Sequence, residues 1–147
     1  VIKMLLEIGD LDKVDDFIAD CLKNKKKIMG IGHRVYKVLD PRAPHLQSMA
    51  QKLGAKLGET KWLDMSERIA EIMLREKNLY PNVDFFSGLV YEKLGLNTDV
   101  FTPIFAMARV AGYCAHWLEQ HEDNKLFRPG QIYVGERQRS YAPVNER

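Results

Sequence analysis

Groups able to bind and polarise a small anion crowd one short stretch of this chain. Met29-Gly30-Ile31-Gly32-His33-Arg34-Val35-Tyr36-Lys37-Val38-Leu39-Asp40-Pro41-Arg42 holds two glycines, one histidine, two arginines and a lysine. Glycines let backbone N–H and C=O groups come close to a ligand, because no Cβ stands in the way. The basic side chains beside them suit phosphates or carboxylates. His33 is either a structural hydrogen-bonder or a group that contacts a polarised oxygen. Further along, Asp84 falls in the first turn of an expected helix, where a negative charge complements the helix dipole. Arg109 interrupts an apolar run, so it should meet either an internal carboxylate or an anionic ligand. Arg42 at a helix start and Arg128 before Pro129-Gly130 read, one at a time, as solvated side chains.

The elements that carry these residues read as helices. Val1 to Ile8 is an amphipathic helical tail closed by Gly9. Asp10 is a candidate N-cap for a second helix with Val14, Phe17, Ile18, Cys21 and Leu22 on one face. Lys23 to Lys27 follow at its C-terminal end, where the dipole favours cations. Asp40-Pro41 pairs an N-cap type with a proline at the first helical position, a helix start. That helix shows Leu46, Met49, Ala50 and Leu53 at helical spacing and should end at Gly58. The next runs from about Lys61 to Lys77, with Trp62, Met65, Ile69, Ile72 and Met73 inward. Pro81 marks a turn, and Asn82 is positioned to cap a helix over Val83 to Leu94, closed by Gly95.

Val100 to Leu118 is the most apolar run. Its length approaches a membrane span, but Pro103, Arg109 and His116 argue for a buried core helix, with Thr102-Pro103 as its cap and first turn. Strand-like alternation is almost absent before the last stretch. The fold class is therefore all-α with an extended C-terminal tail.

The chain has 147 residues, 46% hydrophobic and 29% charged, with a net charge of +2. This is one domain's worth of chain, with enough apolar content for a core. So small a net charge does not by itself imply a nucleic-acid or membrane partner, and the basic residues are not interleaved with exposed aromatics. Cys21 and Cys114, both in helical apolar surroundings, read as reduced buried thiols of a cytosolic protein. No Cys/His cluster has metal-ligand spacing. Val1 opens inside a helix with no cap before it, as a piece of a longer protein would.

Taken together, the motifs resemble the citrate synthase family. Gly30 to Arg42 is similar to that family's signature, with Ile31 where members more often carry an aromatic or small residue. Tyr80-Pro81-Asn82-Val83-Asp84-Phe85-Phe86-Ser87-Gly88 resembles its catalytic-aspartate segment. Phe101-Thr102-Pro103-Ile104-Phe105-Ala106-Met107-Ala108-Arg109-Val110-Ala111-Gly112 resembles its substrate-arginine helix, and Leu126-Phe127-Arg128-Pro129 its C-terminal arginine.

The resemblance implies a citrate synthase-like helical fold: a small CoA-binding domain over residues 1–95, then a helix and tail over 96–147 belonging to a large domain. It implies condensation of acetyl-CoA with oxaloacetate, with CoA as co-substrate and no tightly bound cofactor or metal. The close relative 2-methylcitrate synthase would use propionyl-CoA instead. A non-catalytic CoA-binding or dimerisation module is the reading from outside enzymes. By motif, His33 would polarise the oxaloacetate carbonyl and Asp84 would take a proton from the acetyl-CoA methyl group. Arg42, Arg109 and Arg128 would hold carboxylates, and Phe105 would line the reaction centre. Met29, Gly30, Ile31 and Gly32 would recognise the adenine, and Lys37 a CoA phosphate. The family resemblance further implies a cytoplasmic homodimer in which Arg128 reaches the neighbouring site. The family's second catalytic histidine would lie upstream of Val1, so the piece alone is expected to be inactive.

Overall fold

A computed structural model describes residues 1 to 146. Six α-helices follow in order: α1 Ile2–Ile8, α2 Val14–Lys23, α3 Ala43–Leu57, α4 Lys61–Lys77, α5 Val83–Lys93 and α6 Phe101–Glu122. Short 3-10 turns precede α2 (Leu11–Lys13) and α6 (Thr98–Val100), and another covers Val144–Glu146. Among the described residues there is no strand, only an isolated antiparallel bridge between Ile31 and Pro81. The chain divides into two compact units, Val1–Arg109 and Val110–Arg147.

The first unit holds the core. Leu5, Val14, Ile18, Met65, Ile69, Phe85 and Leu89 are essentially sealed from solvent. They come from α1, α2, α4 and α5, each turning its periodic apolar stripe inward. The α5 helix differs, because Phe85 through Val90 are all buried. Such a helix, apolar all round, is held by neighbours on several sides, and this fixes its N-terminus, where Asp84 sits. Burying Phe85 alone is worth about 2–3 kcal/mol. Charged ties lock the outer faces: Arg68 of α4 donates to both carboxylate oxygens of Asp15 on α2, at 2.8 and 2.5 Å. Lys93, at the end of α5, reaches Glu59 at 2.6 Å.

Several helix boundaries follow local chemistry. Gly58 closes α3 in the left-handed conformation, and Asn78 does the same for α4. The Asn82 side chain accepts from the Asp84 N–H and caps α5. Three starts differ from expectation. Asp10 caps only a 3-10 turn, and its carboxylate goes to Lys61 at 2.6 Å, so α2 begins at Val14. Asp40-Pro41 forms a turn ahead of α3, which begins at Ala43; the Asp40 carboxylate accepts from the Arg42 backbone N–H, as a cap does, and from its guanidinium as well. The Thr102-Pro103 pair lies inside α6, whose start at Phe101 is prepared by the turn that Asn97 caps.

The larger correction concerns α6 itself. None of its residues is buried; Met107 is 70% exposed and Trp117 63%. An apolar composition states a preference for burial, but burial needs an opposing surface; within the first unit, Phe101 packs on the core and meets Tyr91 edge-on at 5.1 Å. Cys114 accordingly is exposed, while Cys21 is buried as expected. Within the second unit, Trp117 stacks on His121 at 5.1 Å, and the chain after α6 is irregular and mostly exposed up to the 3-10 turn.

Candidate active site

Two segments far apart in sequence meet at the expected site. Gly32 N–H donates to Tyr80 C=O at 2.8 Å, and Asn82 N–H donates to Gly30 C=O at 2.9 Å. The Asn82 side-chain amide adds a bond to Gly32 C=O at 2.8 Å, while its oxygen accepts from Asp84 N–H at 3.0 Å. Gly30 and Gly32 both take positive φ, 82° and 81°. At Gly30 the backbone also presses on Phe85, leaving no room for a Cβ. The glycines are thus needed for shape, which is why they precede the histidine.

His33 follows directly. Its Nδ1 accepts N–H bonds from Val35 and Tyr36, both at 3.0 Å. A ring nitrogen that accepts carries no proton, so the imidazole is the Nε2–H tautomer and its free nitrogen is a donor. Tyr36 lies against the ring, centroids 4.5 Å apart, limiting its rotation. The loop adds a small hollow of about 130 Å³ lined by Gly32, His33, Tyr36 and Lys37. Met29 is half exposed at one end of this segment, and Ile31 bridges to Pro81.

Asp84 opens into a cavity of about 390 Å³, with Ser87, Tyr91, Phe101, Thr102 and Phe105 on its walls. Phe105 and Asp84 therefore share one space. Arg109, expected on a buried helix facing either an internal carboxylate or an anionic ligand, is exposed, its guanidinium 5.6 Å from the Phe105 ring centroid. Among the described residues it makes no ion pair, so its N–H donors face solvent rather than an internal carboxylate.

Arg42 does have such a partner. Its Nε and Nη2 bind the two oxygens of Asp40 at 2.9 and 2.7 Å, and its backbone N–H adds a bond at 3.0 Å. These bonds outweigh the burial of Asp40 and hold its carboxyl well below the usual range, at about 2. Asp40 in turn, aided by Asp84, keeps the guanidinium more firmly charged. Arg128 lies in the second unit, in the irregular segment after α6, exposed. No group of three or more His, Cys, Asp or Glu suited to a metal occurs among the described residues. Nor is any described helix long and apolar enough to cross a membrane.

The sequence profile described as citrate synthase, C-terminal domain, matches residues 1–130. The chain belongs to the citrate synthase family. It is 51% identical over 150 aligned residues to a citrate synthase of Synechocystis, covering 100% of this chain and 38% of that protein. The crystal structure of citrate synthase from Thermotoga maritima superposes with a TM-score of 0.82 at 44% identity, covering 99% of this chain and 40% of that one. The structure of a ternary complex of carboxymethyl coenzyme A and oxaloacetate with the citrate synthase of Thermoplasma acidophilum superposes with a TM-score of 0.83 at 38% identity, covering 99% of this chain and 40% of that one. The chain thus spans about two fifths of the length of these citrate synthases.

Hydrogen bonds thus join the loop that carries His33 to the segment that carries Asp84, and Phe105 shares a cavity with Asp84; the same geometry gives three further residues a part in this region. Asp40, expected at a helix start, accepts the Arg42 backbone N–H there and is also the ion-pair partner of the Arg42 guanidinium. Asn82 was read as a cap and also bonds the glycine loop. Tyr36 carries the His33 ring. The only signal for these in the sequence was proximity to the motif residues.

Proposed function

We propose that the protein containing this chain condenses acetyl-CoA with oxaloacetate, releasing citrate and CoA. The observation that carries the reading is the hydrogen-bonded joint between the glycine–histidine loop and the aspartate segment, which couples a neutral donor at His33 to a carboxylate at Asp84. The Asp84 carboxylate takes a proton from the methyl group beside the thioester. The resulting enolate carbon attacks the keto carbon of oxaloacetate, whose oxygen, hydrogen-bonded to Nε2–H of His33, takes up that proton to become the new hydroxyl. The proton left on Asp84 passes to solvent, from which His33 is reprotonated. Water then cleaves the citryl thioester, giving citrate and the free thiol of CoA. Methyl groups of thioesters are weak acids, so donors placed where negative charge develops matter as much as the base.

The remaining assignments belong to the same proposal. Arg42, Arg109 and Arg128 bind carboxylates, since guanidinium forks match them and stay charged. Phe105 excludes water beside Asp84. Met29 to Gly32 contact the adenine of CoA, and Lys37 a phosphate. Residues 1–95 form the small CoA-binding domain, and 96–147 belong to the large one. The protein works as a cytoplasmic homodimer, with Arg128 serving the neighbouring site.

The test is steady-state turnover of the full-length gene product with oxaloacetate and either acetyl-CoA or propionyl-CoA. Loss of thioester absorbance is the better readout, because the exposed Cys114 would react with a thiol reagent. Preference for acetyl-CoA is expected. Preference for propionyl-CoA would reassign the protein to 2-methylcitrate formation, and cleavage of neither would leave a CoA-binding module.

A further inference from the structure

We propose that Asn82 is a positioning residue that sets the orientation of His33 and Asp84 with respect to each other; this rests on the reading of those two as the reacting pair. Its amide is the only side chain among the described residues that bonds both segments. The oxygen takes the Asp84 N–H at 3.0 Å and the nitrogen donates to Gly32 C=O at 2.8 Å. Only this orientation of the amide satisfies both neighbours, since flipping it would set donor against donor and acceptor against acceptor.

The bond to Gly32 has a specific consequence. Gly32 C=O belongs to the peptide unit that leads into His33, and that unit is planar. Holding the oxygen therefore fixes the plane from which the His33 Cα departs. Gly30 and Gly32 have positive φ and no side chain, so the loop has little conformational preference of its own. The two backbone bonds, Gly32 N–H to Tyr80 and Asn82 N–H to Gly30, hold the two segments of the joint together. They leave the Gly32 carbonyl to the Asn82 amide. On the other side, the Asn82 oxygen sets the first turn of α5, on which Asp84 projects. One side chain thus carries both halves of the proposed chemistry in register.

A helix cap alone would behave differently. Asn, Asp and Ser are near-equivalent as N-caps, but only Asn also donates from the same side chain at this length. In Asn82→Asp the nitrogen becomes an oxygen that repels Gly32 C=O, and in Asn82→Ser no group reaches it. Both variants of the full-length gene product should keep a melting temperature within about 4 °C of the parent, because the cap survives. Both should lose kcat by about a hundredfold, the cost of displacing a reacting group by roughly an ångström. Hydrogen exchange of the Gly32 amide should accelerate by at least about tenfold, with α4 amides unchanged.

Retention of kcat within about threefold in either variant, at parental stability, would overturn the proposal, as a cap-only role predicts. Unchanged exchange at Gly32 would overturn it too, whatever the activity. If the parent itself cleaves no thioester, the condensation reading fails, and the exchange measurement still decides whether Asn82 orders the loop.

Discussion

Asp40 grips Arg42 through both carboxylate oxygens, at 2.9 and 2.7 Å, although Asp40 is 1% exposed and the arginine side chain 40%. The pair pre-aims the guanidinium: Nε and one Nη2 proton are committed, and the rest of the fork remains for a ligand.

The first prediction concerns acid stability. Asp40 titrates at about 2 in the fold against an ordinary 3.8, so its folded value is depressed. Its contribution is therefore complete above about pH 4 and disappears as pH falls towards 2. Asp40→Asn should cost about 2 kcal/mol at neutral pH. Urea unfolding at several pH values checks it: the gap between parent and variant should close on acidification.

Removing the base should separate activity from folding. The cap bond of α5 uses the Asp84 backbone N–H, not its carboxylate. Asp84→Asn should therefore lose only the dipole interaction, about 0.3–1 kcal/mol, while kcat falls by at least about a hundredfold. Turnover and denaturant midpoints on the same preparation measure both.

His33→Ala should behave similarly for a different reason. It deletes the Nε2–H donor and leaves the Val35 and Tyr36 N–H groups, both on exposed residues, to water. A kcat loss of about a hundredfold or more is expected, with a stability change below about 1 kcal/mol. A stability loss much larger than this, with modest loss of turnover, would make the histidine a structural hydrogen-bonder.

The two loop glycines should differ. A Cβ on Gly30 would lie 2.8 Å from Phe85 Cδ2 and 3.0 Å from its Cα, whereas on Gly32 the nearest atom is 3.9 Å away. Gly32→Ala meets only the positive φ and should cost about 1–2 kcal/mol. Gly30→Ala adds backbone overlap with α5 and should cost roughly 1–3 kcal/mol more. Thermal unfolding of the two variants side by side measures the difference.

Local chemistry decided much of this protein before any folding was known. The span of α4, the left-handed closure at Gly58 and the Asn82 cap follow from apolar period and capping preference, interactions within one or two turns of chain. The spacing of His33, Lys37 and Arg42, and the later Asp84, likewise carried the family resemblance without coordinates. What the amino acids could not state was which groups would meet. The partner of Arg42 was near in sequence, yet a helix-start aspartate need not hold a guanidinium; only side-chain geometry in the fold shows that the Asp40 carboxylate takes both the backbone N–H and the guanidinium of Arg42. The Asn82 bond to Gly32 spans fifty residues, so no local rule could find it. The exposure of α6 shows the same division, because apolar residues express a tendency to leave water and only an opposing surface, brought by tertiary structure, determines whether they do.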